Sequence, residues 1–115
     1  MLAREFNLKG KENFELVQKN GKIYQSESFG IAYLKREDEE CSKFGFVISK
    51  KINGDAVHRN RIKRAMSEAI RFLLTEIKHG YNFIFLAKQQ STKKSTDEIM
   101  KEVASSVKKA GFLKK

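Results

Sequence analysis

The chain has 115 residues, 40% of them hydrophobic and 10% aromatic, with seven glycines and no proline. That suits one domain with one modest core and excludes collagen-like, proline-rich and wholly disordered chains. Twenty-four Lys and Arg stand against 14 acids, a net of +10; solubility asks only about 2 to 8 of a small domain, so a polyanion is expected to supply counter-charge, nucleic acid first and an anionic membrane second.

In chain order, KENFELVQK at 11–19 predicts a short helix with Phe14, Leu16 and Val17 as core candidates. Asn20-Gly21 is its expected stop, because glycine takes the left-handed conformation without a Cβ clash. Residues 22–25 and 28–35 read as strands. In the second, Phe29, Ile31 and Tyr33 alternate with Gly30, Ala32 and Leu34, so one face is bulky and the other small. REDEE at 36–40 is an acidic hairpin loop, and FGFVIS at 44–49 is the next strand.

From about 56 to 78 the period changes. Ile62, Ala65, Met66, Ala69, Ile70, Leu73, Leu74 and Ile77 recur at helical spacing and predict one buried stripe, ended at His79-Gly80. YNFIFLAK at 81–88 reads as a buried strand and QQSTKKS as a loop. Ser95 and Glu98 have capping-box spacing. They open a last helix with Ile99, Met100, Val103, Ala104 and Val107 on its apolar face and Gly111 at its end. The result is an α+β fold in one domain over 1–115, of order α-β-β-β-α-β-α: a two-layer sandwich of helices on a mixed four-stranded sheet.

Residues 50–71 hold seven Lys or Arg and two acids, a net of +5, half the charge in about a fifth of the chain. Four of these cations fall within HRNRIKR at 58–64, at the start of the long helix, where they oppose the macrodipole. Acids that could pair with them are nearly absent; only Glu68 lies four residues from Arg64. On a helical wheel Asn60, Arg64, Ser67 and Arg71 form a polar stripe, Lys63 lies at its seam with the core, and Arg59 is aimed toward the sheet. A solvated helix face is the ordinary meaning of a charge run. Here the missing partners favour a polyanion, and helix N-termini present free N–H groups to phosphates. Arginine adds a planar fork for phosphates and base stacking.

SKK at 49–51, a short turn, then AV-x-RNR-x-KR over 56–64 and an amphipathic helix together resemble the protein-subunit family of bacterial ribonuclease P. The likeness extends through Phe14, Val17, Gly21, the Phe29 strand, FGFVISKK and the late IFLAK. It implies a left-handed β-α-β crossover in place of the usual right-handed one. It also implies a ribonucleoprotein that removes the 5′ leader of precursor tRNA, with the hydrolysis carried by an RNA subunit and magnesium bound mainly by that RNA. Carried over residue by residue, the RNA-binding set is Ser49, Lys50, Lys51, Arg59, Asn60, Arg61, Lys63, Arg64 and Arg71, with Phe14 and Ala87 as leader-cleft positions. Partners are then the ribonuclease P RNA and precursor tRNA, with no membrane and no small-molecule substrate. Three positions depart from the family pattern: the turn at 52–55 is one residue longer, Ser67 stands for a frequent arginine, and Gln18 stands for a common aromatic.

Protein-borne catalysis is not expected. The acids lie in REDEE and at Asp55, Glu68 and Asp97-Glu98, without metal-ligand spacing, and His58 and His79 lie toward opposite ends of one predicted helix. Cys41 sits beside the acidic loop without a basic partner to activate it and, as the one cysteine, cannot form an internal disulfide. No apolar run approaches the roughly 18 residues of a spanning helix, and MLAREFNLKGKENF has no apolar signal core. A reducing cytoplasm fits these facts. Rival readings are a general RNA-binding module, a DNA-binding protein placing the basic helix in a major groove, and a membrane-surface protein.

Overall fold

A computed structural model describes residues 2–52 and 54–114. The elements are α1 (Lys11–Asn20), β1 (Lys22–Gln25), β2 (Phe29–Lys35), β3 (Lys43–Val47), α2 (Ala56–Leu73), β4 (Tyr81–Ala87) and α3 (Thr96–Lys109), in the predicted order. The strands form one mixed sheet, β1-β2-β4-β3. β1 and β4 pair antiparallel with β2, while β3 lies parallel to β4 and reaches it through α2.

Alternation along the strands sorts their side chains between two faces. Phe29, Ile31, Phe44, Phe83 and Phe85 join Ile62, Met66 and Ile70 of α2 and Ile99, Val103 and Val107 of α3 in the main core. Register stacks aromatics within that face: Phe44 pairs with Phe83 and Phe46 with Phe85, with ring centroids 5.2 and 5.5 Å apart. Each fully buried residue of this size contributes about 1.5–3 kcal/mol. The opposite face carries Ala32, Leu34, Ile84 and Leu86, which pack with Leu8 and with Phe14 and Val17 of α1. The sheet and the α2–α3 pair are the two expected layers, and α1 adds a partial layer on the other side.

Five local expectations change. Leu16, a core candidate, is 48% exposed because only Phe14 and Val17 of α1 face the sheet. REDEE does not close a hairpin, because β2 and β3 are not neighbours and β4 lies between them. Helix α1 does stop at Gly21, but with φ −83° rather than in the left-handed region. A Cβ there would lie 2.5 Å from the carbonyl oxygens of both Val17 and Tyr33, so close approach, not backbone freedom, calls for glycine. The long helix ends at Leu73, followed by a 3-10 turn at Leu74–Glu76. Ile77 is buried because it bridges to Leu113 in extended conformation; spacing of three is shared by α and 3-10 turns, so periodicity did not separate them. The loop after β4 likewise contains a 3-10 turn, Gln89–Lys93.

Candidate nucleic-acid interface

Helix α2 begins at Asp55, whose carboxylate accepts from the Val57 amide at 2.9 Å and so satisfies one of the helix's open N–H groups. No acid lies in the helix's first turn. Just before it, Ser49, Lys50 and Lys51 are exposed on a turn in which the Ile52 amide donates to the Ser49 carbonyl at 3.0 Å. Gln89 Nε2 donates to the Ile52 carbonyl at 3.1 Å, tying this loop to the turn after β4. The longer turn at 52–55 includes residue 53, which lies outside the described residues.

Three of the basic side chains of α2, Arg61, Lys63 and Arg64, line two recesses. Asn60, Arg61 and Arg64 line a groove of about 560 Å³ against α3. Arg61 Nη1 approaches Thr96 Oγ1 at 3.5 Å across it. Lys63 and Ser67 line a smaller recess of about 270 Å³ at the edge of β3, with Phe14, Gly45 and Phe46. Ser67 is therefore not part of an exposed stripe: it is 2% exposed, and its hydroxyl donates to the Arg64 carbonyl at 3.1 Å. Arg59 is half-buried at the head of the helix.

Arg71 lies farther along, with Nη2 and Nε 2.8 and 3.1 Å from Glu68 Oε1 and its guanidinium 4.7 Å over the exposed Phe72 ring. The pairing raises the Arg71 pKa and, as the largest cause, holds the Glu68 carboxyl down at about 2. Glu68 lines the same groove as Arg64, and its carboxylate accepts from Arg71.

The two leader-cleft positions are on different faces. Phe14 lies on the α1 side, directly over Gly45, where a Cβ would come 2.6 Å from its ring. Ala87 pairs with Phe29 and packs against the main core beneath α2 and α3. On the α1 side, register instead aligns Gln25, Gly30, Leu86 and Val47 in one row across all four strands. Val47 is 37% exposed and Ile23, one row away, 51%. The row ends beside Ser49–Lys51. Alternation could have predicted that Ile23, Gly30 and Leu86 share a face; that α1 covers only part of it could not be read from spacing. Gln18 is exposed on α1.

The acidic loop has a structural task. Arg36 donates to Asp38, to the carbonyls of Glu40, Cys41 and Tyr81, and to Asn82 Oδ1. It thereby pins the β2–β3 loop to β4, and the Asp38 carboxyl is lowered chiefly by that guanidinium. Among the described residues, no group of three or more His, Cys, Asp or Glu is placed to hold a metal ion, and no helix is long and apolar enough to cross a membrane.

Comparison with known proteins matches residues 2–111 to a family model described as Ribonuclease P. The ribonuclease P protein component of Oceanobacillus iheyensis is 30% identical over 113 residues, spanning 98% of this chain and 93% of that protein. That of Macrococcus caseolyticus is 36% identical over 115 residues, spanning 99% and 98%. Among solved structures, the Staphylococcus aureus RNase P protein superposes with a TM-score of 0.88 at 25% identity, covering 95% of this chain and 98% of that one.

Proposed function

The chain belongs to the ribonuclease P protein family, and from that premise we infer that it serves as the protein subunit of the ribonucleoprotein that removes the 5′ leader from precursor tRNA. The RNA subunit carries out the hydrolysis, with magnesium bound mainly by RNA. The protein's side chains grip and orient. One observation carries this function: the start of α2 and the loop before it gather Lys50, Lys51, Arg61, Lys63 and Arg64 while the helix's first turn holds no acid. Such a surface is costly alone and favourable against phosphates, whose condensed counterions it releases.

Within that function we assign Ser49, Lys50, Lys51, Arg59, Asn60, Arg61, Lys63 and Arg64 to the RNA subunit, with Arg71 a lesser contributor because Glu68 already neutralises it. The single-stranded leader is assigned to the α1 side of the sheet, from Phe14 across Leu86 to Val47. There apolar side chains meet bases and the neighbouring lysines meet phosphates. Ala87 is left out, since it packs on the other face. The lone, half-buried Cys41 suits a cytoplasmic setting.

Reconstitution tests this function. Added to a bacterial ribonuclease P RNA at magnesium too low for the RNA alone, the protein is expected to restore cleavage of precursor tRNA at the mature 5′ end. Binding without stimulated cleavage would instead support a general RNA-binding module.

A further inference from the structure

We propose that the groove between α2 and α3 receives a single unstacked base of the partner RNA. This rests on RNA being the partner and goes further, by giving one recess a nucleobase as its ligand. The floor is apolar: Val57, Ala65 and the half-buried Met100. The rim is polar and mainly cationic: Asn60, Arg61, Arg64 and Thr96, with one acid, Glu68, whose carboxylate is held by Arg71. At about 560 Å³ it is larger than the recess at the β3 edge, about 270 Å³.

Val57 is the informative residue. It stands 74% exposed in the first turn of the most basic helix in the chain. A surface built only to meet phosphates gains nothing from an apolar side chain there. A base offers two apolar faces and a polar edge, and side chains reach those faces only when the base has left its stack, as in loops, bulges and junctions. An apolar floor under an arginine rim matches that chemistry. Val57 and Met100 meet the face of the base. The guanidinium planes of Arg61 and Arg64 stack on it or hold the flanking phosphates. The Asn60 amide offers one donor and one acceptor to its edge. The 3.5 Å approach of Arg61 to Thr96 is at the long limit of a hydrogen bond, so Arg61 gives up little by turning to a ligand.

Salt dependence separates base binding from phosphate binding, because only the latter releases counterions. Binding of bacterial ribonuclease P RNA is measured from low to high salt for wild type, Val57→Ala and Met100→Ala. Each variant is expected to weaken binding by about tenfold, the scale of losing one or two methyl or methylene groups from apolar contact, with the slope of log K against log[salt] unchanged. Base-specific chemical probing should then show one nucleotide protected by wild type and reactive again with Val57→Ala. Val57 is exposed, so its truncation leaves the fold intact and decides the matter even if Met100→Ala lowers the melting temperature. Unchanged affinity, or a loss accompanied by a flatter slope, overturns the base pocket. Wild-type protein that does not bind this RNA at all overturns the partner assignment and the pocket with it.

Discussion

Arg64 and Arg71 are both exposed arginines of one helix, yet their surroundings give them different weights. Arg64 lies on the groove rim, whereas Arg71 is held by Glu68. Arg64→Ala is therefore expected to weaken binding of the RNA subunit and to flatten the log K–log[salt] slope by about 0.7–0.9 for each phosphate the arginine neutralises, and Arg71→Ala to change it less. Equal slopes for wild type and Arg64→Ala would remove Arg64 from the phosphate set. Gly45 presents the opposite case, a residue whose value is its missing side chain. Gly45→Ala sets a Cβ 2.6 Å from the Phe14 ring and should cost about 1–3 kcal/mol as overpacking, read as a lowered denaturant midpoint at unchanged slope. Neither Ser67's burial nor the seat of Phe14 on Gly45 was legible in the residues alone, since each depends on an element distant in sequence.

At the level of elements, α3 is the one whose start the spacing predicted in atomic detail. The Ser95 hydroxyl accepts from the Glu98 amide at 3.1 Å and the Glu98 carboxylate from the Ser95 amide at 2.9 Å. Ser95→Ala should lower stability by about 0.5–2 kcal/mol, measured by denaturant unfolding. The Ser95 amide is the largest cause holding the Glu98 carboxyl below its usual range, and Arg71 does the same for Glu68, at about 2. Folded-state pKa values below the unfolded ones mean stabilisation that is complete above about pH 4.5. It is lost as pH falls through the folded-state values. Thermal midpoints from pH 6 down to 2.5 should thus show wild type losing its advantage over Glu98→Gln as acid is added. A gap that stays constant with pH would deny the carboxylate this role. The capping box was readable because both partners lie within one turn; the end of α2 was not, because Ile77 finds its place through Leu113.

Over the whole molecule, the sheet separates two surfaces. Helix α2 and its approach loop offer a cationic face, and the side carrying α1 offers a partly covered apolar row. The extents of the body, 38 × 29 × 25 Å, keep them close enough for one RNA complex to touch both. Phe14→Ala is expected to reduce the preference for precursor over mature tRNA while sparing affinity for the RNA subunit, as measured by parallel binding titrations. Ala87→Val, on the other face, should leave that preference unchanged. Equal losses against both ligands for Phe14→Ala would deny a separate leader surface.

Short-range physics controls the features legible in the residues: the order of the elements, the concentration of positive charge at the head of α2, the apolar stripe beneath it and the cap of α3. Helical period, strand alternation and capping distances all act within a few residues. Which face each residue occupies depends on contacts between elements distant in sequence. A shift of one position along a strand moves a side chain through the sheet, which is why Leu86 lies on the α1 side and Ala87 does not. The groove beside Arg61 and Arg64 likewise exists only because α3 brings Thr96 and Met100 alongside α2. The charges could be counted in the chain; the apolar floor between them came into being when two helices distant in sequence packed on one sheet.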